Sequence, residues 1–268
     1  DLFMGAGHQA FYLVKISFLG YRYHGWQKQP SLKTLHSVVD RTLKYILDGL
    51  PFKTLGASRT DAKVSAHQAA FELFLKSPIE DLSQFIDDFN ANLPHDVYCE
   101  SVVSVTKEFN IIQDSKEKVY QYYFAFGNKS HPFCAPFLTT ILEPLDIELM
   151  IQGARLFEGT HFFKSYCYKP KPDAAYVRTI SKCHIIPNQD LTASFFPKES
   201  YVLEVKGKGF LRHQVRLMIG ALFRLGKGER TLNDIKESLI EGYPYNETFV
   251  APASGLILDR INFEIPNE

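Results

Sequence analysis

Between Phe11 and Leu19 the apolar side chains Tyr12, Val14, Ile16 and Phe18 fall on every second position, and from Leu35 onward the interval changes to three and four. A period of two puts the first set on one face of a strand. The later set, Leu35, Val38, Val39, Thr42, Leu43, Ile46 and Leu47, traces a stripe along a helix that Thr34 is placed to cap. The same change of period recurs downstream. Strands are predicted over His67 to Leu75, Tyr98 to Val105 and Tyr120 to Phe126, with a helix from about Asp81 to Asn92 stopped by Pro94. A second round follows: a helix near Asp146 to Phe157, strands near Thr179 to Pro187 and Tyr201 to Gly207, helices over Phe210 to Leu225 and Leu232 to Glu241, and a closing strand over Leu256 to Glu264. No fixed-period repeat is visible. Helices interleaved with strand pairs, twice over, indicate an α+β fold rather than a doubly wound parallel sheet. At 268 residues there is chain enough for one large domain or two small ones.

The formal net charge is zero, so nothing global draws this chain onto a polyanion. Charge is segregated instead. Glu204 to Arg230 holds seven basic residues against two acidic ones, while Glu80 to Asp88 holds four acidic residues and no basic one. A basic face opposed by an acidic one fits this pattern, and a solvated helix face fits the basic stretch equally well. Cys99, Cys134, Cys167 and Cys183 are widely spaced with no C-x-x-C pair, which argues against a zinc site and for buried thiols in a reducing compartment, the cytoplasm. No apolar run has the length of a membrane span, no secretory signal is evident, and Asp1 to Gly7 reads as a tail. Several enzyme classes lack their signatures. There is no G-x-S-x-G elbow, and Gly220 to Lys227 has the wrong spacing for a P-loop, with Gly228 where Ser or Thr is needed. Gly207-Lys208-Gly209 lacks the third glycine of a dinucleotide site, and no H-x-E with C-x-x-C exists for zinc deamination.

One loop carries a chemical signal. Gly56-Ala57-Ser58-Arg59-Thr60-Asp61-Ala62-Lys63-Val64-Ser65-Ala66 sets a carboxylate beside a guanidinium among small residues. Small residues let a planar ligand approach the backbone, and the Arg favours the ionised form of the Asp. Those are the needs of a nucleophilic carboxylate. In isolation an Arg-x-Asp is an ordinary surface ion pair; its weight comes from the segments that accompany it.

This loop resembles the catalytic loop of the tRNA pseudouridine synthase A (TruA) family, which reads roughly G-R-T-D-A-G-V-H-A. Further segments match that family in the same order. Gly20-Tyr21-Arg22-Tyr23-His24-Gly25-Trp26-Gln27 resembles a strand exit ending in G-W-Q, and Phe89-Asn90-Ala91-Asn92-Leu93-Pro94 is similar to L-N-x-x-L-P. Lys118-Val119-Tyr120-Gln121-Tyr122 resembles K-x-Y-x-Y, and Gly159-Thr160-His161-Phe162-Phe163-Lys164-Ser165-Tyr166 resembles G-T-H-D-F-x-S-F. Gly209-Phe210-Leu211-Arg212-His213-Gln214-Val215-Arg216 with Gly220 is similar to G-F-L-x-x-x-V-R…G, and Ala251-Pro252-Ala253-Ser254-Gly255-Leu256 to A-P-x-x-G-L. The matches run from about residue 11 to residue 262.

The resemblance implies two related α/β halves of ferredoxin or RRM type, residues 10–108 with the Asp loop and residues 109–266 with the Tyr strand and basic helix. It further implies a joined, mainly antiparallel sheet and a catalytic cleft between the halves. The activity implied is isomerisation of uridine to pseudouridine in structured RNA, the tRNA anticodon arm foremost, by a homodimer that needs no cofactor or metal. Asp61 would be the essential carboxylate, Tyr120 would stack on the flipped uracil, and Arg216 would pair with Asp61. Arg59 would fill the gap left by the flipped base, with Lys63, Arg22, Trp26, His161, Arg212 and His213 as further RNA contacts. On residue type alone, Tyr120 is equally a strand aromatic, Arg216 an exposed helix cation and Trp26 a core residue. The chain departs from the pattern at Ser58 and Lys63, where Gly is usual, at Ser65 for His, at Phe162 for Asp and at Tyr166 for Phe. A Cβ at residues 58 or 63 narrows backbone freedom wherever positive φ is required. Two alternatives stay open: a degenerate relative that binds RNA without chemistry, and a paralogue aimed at another RNA.

Overall fold

The computed structural model describes residue 7 and residues 9–265, so the segment read as a tail lies, apart from Gly7, outside the described residues. The chain forms two compact units. One holds the chain up to Lys116 and takes it up again from Leu258; the other is Glu117–Ile257.

In the first unit β1 (Ala10–Phe18) runs between β3 (Ser65–Leu75) and β4 (Val97–Val105), antiparallel to both. β2 (Phe52–Gly56) pairs antiparallel with the end of β3, and β10 (Leu256–Phe263) also neighbours β3. The period-two reading of β1 is correct, with Tyr12, Val14, Ile16 and Phe18 all buried. It is also incomplete, because Leu13 on the opposite face is 1% exposed. The segment after β4 reaches that face: the buried Ile111 donates from its amide to the carboxylate of Glu72, which lies opposite Leu13 on β3. α1 (Leu35–Ile46) begins at Thr34, whose hydroxyl accepts from Ser37 N while the Ser37 hydroxyl donates back to Thr34 O. α2 (Leu82–Asn92) is capped by Asp81, which accepts from Gln84 N. Each helix therefore starts where a side-chain acceptor meets the orphan amides of its first turn. β2 has no counterpart among the predicted elements. Its Lys53 and Leu55 are exposed and its other residues only half-buried, so the apolar alternation that marks a strand is missing.

In the second unit β5 (Ser115–Phe126), β9 (Tyr201–Gly207), β8 (Val177–Pro187) and β7 (Gly159–Phe162) follow one another as an antiparallel sheet, with β6 (Thr139–Ile141) parallel to β5. α3 (Ile147–Arg155), α4 (Gln214–Gly226) and α5 (Leu232–Ser238) complete it. The architecture is thus α+β and mainly antiparallel, as expected. The predicted helix over Phe210 to Leu225 starts four residues late, because His213 takes a left-handed conformation (φ 57°) at its cap. β6 and β7, three and four residues long, were not predicted; neither is long enough to show a period.

The solvated-face reading of the basic stretch fails. Eleven of the thirteen residues of α4 are buried, and the two that are not are Arg216 and Arg224. Arg224 and Arg230 both pair with the buried carboxylate of Glu247, and Lys227 pairs with Glu143. Among the described residues no helix is long and apolar enough to cross a membrane. The four cysteines form no disulfide, and burial pushes the Cys99 thiol up to about 12, so it is inert at neutral pH.

Candidate active site

The Asp61 loop is fixed from three directions within the first unit. Ala57 N donates to Ala70 O on β3, Trp26 N donates to Thr60 O, and Lys63 N donates to Tyr23 O. A further bond from Val64 N to Asp61 O closes a turn around the carboxylate-bearing residue. Asp61 is half-buried, while Arg59 and Lys63 are exposed. Trp26 is 3% exposed: its indole lies against His36 (centroids 5.3 Å apart) and Phe71 (6.2 Å). The glycine that opens the loop has a steric reason, since a Cβ at Gly56 would stand 2.2 Å from Trp26 Nε1. Trp26 therefore shapes the loop from beneath, by packing and by its backbone amide.

Two of the departures from the family pattern find physical explanations. Lys63 adopts φ 67°, the left-handed region that its usual glycine occupies without cost, whereas Ser58 does not have positive φ. Ser65 is buried, and its hydroxyl accepts from Gly20 N at 2.8 Å, tying the loop to the strand exit at Gly20. That exit is held again by Asp96, which accepts from Tyr23 Oη at 2.6 Å and from the Arg22 guanidinium at 2.6 and 3.0 Å. Burial alone would raise the Asp96 carboxyl, but these two partners outweigh it and keep it below the ordinary carboxylate range. Arg22 is thus engaged by an ion pair at the base of the loop, its side chain still largely exposed.

In the second unit Tyr120 sits on β5 opposite Val205 of β9 and is half-buried. The ring of Phe210 meets it edge-on, with centroids 5.2 Å apart and planes at 88°. Alternation along β5 puts Lys118, Tyr120 and Tyr122 on one face. Burial lowers the Lys118 ammonium pKa and raises that of the Tyr122 hydroxyl, the latter opposed by a bond with Thr139 and by the charge of Arg216. Arg216 leaves α4 to donate from Nε to Ala251 O at 2.8 Å, and Ala251 N returns a bond to Arg216 O at 3.1 Å. The next carbonyl, Pro252 O, accepts from Tyr122 Oη at 2.7 Å. The A-P motif thus acts through its main chain. Gly220 lets this segment approach, since a Cβ there would lie 1.8 Å from Phe249 O.

The remaining named residues are placed as follows. His161 Nε2 bonds Glu158 O at 2.6 Å, closing the turn after α3. Arg212 is exposed and His213 half-buried; the first lies over the ring of Tyr168 and the second stacks on it. Sequence reasoning passed over Phe210 as a partner for Tyr120 and Ala251 as a tether for Arg216. Both stand inside motifs already singled out, so the signal was present without its geometry.

A family model described as tRNA pseudouridine synthase matches residues 154–264. A protein called tRNA pseudouridine synthase A from Staphylococcus aureus (strain MRSA252) is 31% identical over 249 residues, which cover 93% of this chain and 90% of the relative. One of the same name from Staphylococcus epidermidis (strain ATCC 12228 / FDA PCI 1200) is 30% identical, and one from Shouchella clausii (strain KSM-K16) is 28% identical over 94% of this chain. With similarity of that degree over nearly its whole length and that of its relatives, the chain belongs to the tRNA pseudouridine synthase A family.

Proposed function

We propose that this chain is a cofactor-free isomerase that converts uridine to pseudouridine in tRNA, with the anticodon arm as the target region. The N1–C1′ bond breaks, the base turns, and a C5–C1′ bond forms. N1 takes up a proton and C5 loses one, so no electron is gained or lost. A uracil stacked in a stem is unreachable, and the nucleotide must first be extruded. In this reading Asp61 supplies the carboxylate, by attack on the nucleotide or by assisting departure of the base. Tyr120 supplies the aromatic face for the extruded uracil and Arg216 a cationic partner for the carboxylate. Arg59 and Lys63 are exposed on the loop that carries Asp61, which suits contacts to the nucleotides flanking the target. The homodimer implied by the family and a cytoplasmic location with reduced thiols belong to the same proposal.

The observation that carries this reading is membership of the family together with retention of Asp61, Tyr120 and Arg216 in their motifs. Tritium release from tRNA carrying 5-tritiated uridine tests it, with wild type and Asp61→Asn compared. Release by wild type alone, with tRNA affinity preserved in the variant, is the expected outcome. Wild-type release by Asp61→Asn overturns the assigned chemistry; release from rRNA but not from tRNA keeps the chemistry and overturns the substrate, and absence of release from both pools, with RNA affinity retained, leaves an RNA-binding protein without this activity.

A further inference from the structure

One cluster in the second unit is unexplained by the reaction. Tyr168 lies in the loop after β7, and its amide donates to Arg212 O at 2.9 Å, joining that loop to the turn before α4. Around its ring stand three other side chains. His213 stacks on it with centroids 4.7 Å apart and planes at 29°, the Arg212 guanidinium carbon is 5.0 Å from the centroid, and Lys169 Nζ is 5.4 Å away. Two of these, His213 and Lys169, hold left-handed backbones at φ 57° and 51° with no glycine to ease them. Strain of that kind at adjoining positions persists where the surrounding structure over-determines it, and it collects at ligand clamps. Among the described residues neither Arg212 nor Lys169 is in an ion pair, although three other cations of the same unit, Arg224, Lys227 and Arg230, all are. Both Arg212 and Lys169 are exposed, and Lys171 adds a further exposed cation two residues on.

We infer that Tyr168 organises Arg212 and Lys169 into a clamp for the phosphodiester backbone of RNA, separate from the contacts that handle the reacting uridine. The inference rests on the tRNA-modifying reading. An exposed Arg or Lys normally samples many rotamers, and binding must then order it. Cation–π attraction to one tyrosine ring restrains both beforehand, so less ordering remains when a phosphate arrives. With the ring already occupied by His213 and the cations, the cluster presents charge rather than an open stacking surface. Its ligand is therefore the sequence-independent backbone, and its contribution is affinity without base selection.

The test uses full-length wild type, Tyr168→Leu and Lys169→Gly, with filter binding to unmodified tRNA across a salt series and tritium release in parallel. Lys169→Gly removes a charge and relaxes a left-handed residue, so the fold is expected to be as stable as wild type or more so. Its tRNA affinity is expected to fall roughly five-fold at ~0.1 M salt, with the slope of log K against log salt shallower by about one. Tyr168→Leu keeps both cations and is expected to weaken binding through their disorder, with KM raised and kcat at saturating tRNA unchanged. Unaltered affinity and salt slope in both variants, with wild type active, overturn the clamp and leave the enzymatic reading standing. Loss of affinity in both variants, with wild type releasing no tritium, supports the clamp and removes the enzymatic reading. A wild type that neither releases tritium nor binds tRNA overturns both.

Discussion

Glu72 should make this protein less stable as pH rises through neutrality, and Glu72→Gln should remove that dependence. The residue sits on β3 opposite Leu13 of β1 and Leu55 of β2, is 2% exposed, and has one long hydrogen bond, from Ile111 N at 3.4 Å. Burial lifts its carboxyl from an ordinary 4.5 to about 7, helped by the nearby charge of Asp114 and opposed by the Ile111 amide and Lys53. Between those two values the folded chain holds a proton that the unfolded chain has released, so stability declines with rising pH. Below about 4.5 both states are protonated and there is no penalty; above about 7 the penalty is complete. A shift of that size corresponds to about 3 kcal/mol. Glutamine preserves the shape and the acceptor without titrating. Urea unfolding of both proteins at pH 4 and pH 8 should therefore show near-equal stability at the lower pH. At the higher pH the glutamine variant should be more stable by up to about 3 kcal/mol, or roughly 6–12 °C in Tm. Taking the difference between the two proteins cancels the titration of every other group. A gap of the same size at both pH values would refute the reasoning.

Two further substitutions test the loop and its counterpart in the second unit. Lys63→Gly restores the residue that φ 67° favours, and should change stability by between zero and about +1 kcal/mol once the added freedom of glycine in the unfolded chain is counted. The same variant should bind tRNA with a shallower salt dependence, measured by filter binding, because an exposed cation near Asp61 is gone. Glu247→Gln should destabilise the second unit by about 2 kcal/mol in urea, since the carboxylate accepts from Arg224, Arg230 and the amides of Thr248 and Phe249. Part of its turnover should also be lost, as the segment leading to Ala251 loosens.

Most of the architecture was readable because local rules and tertiary packing agree. Thr34, Asp81 and Asp146 begin their helices as their side chains dictate, and the apolar period of β1 survives in its burial. What could not be read depends on contacts between distant segments. β2 carries an exposed Leu55 and no alternation, so only its pairing with β3 makes it a strand. The late start of α4 follows from a left-handed histidine, a conformation that residue type does not announce. The basic stretch fitted a wet helix face as well as a basic binding face because sequence shows charges but not the carboxylates that meet them; Glu247 stands well beyond Arg224 along the chain. The motifs located the chemical residues, yet not their supports. That Phe210 abuts Tyr120, or that Trp26 lies under the Asp61 loop, is a matter of three-dimensional placement.

The tether on Arg216 has a consequence for mutational robustness. Its partner is the main-chain carbonyl of Ala251, and the amide of the same residue returns the bond. Every amino acid offers that carbonyl, so drift in the side chain at 251 leaves the arginine its acceptor. The fragility has moved to positions with no direct contact to the guanidinium: to Gly220, where any side chain would collide with Phe249 O, and to Glu247, which locks the segment to two arginines. Inactivating variants of this enzyme should accordingly collect at sites that a catalogue of substrate contacts would pass over, and they should present as folding defects before they present as catalytic ones.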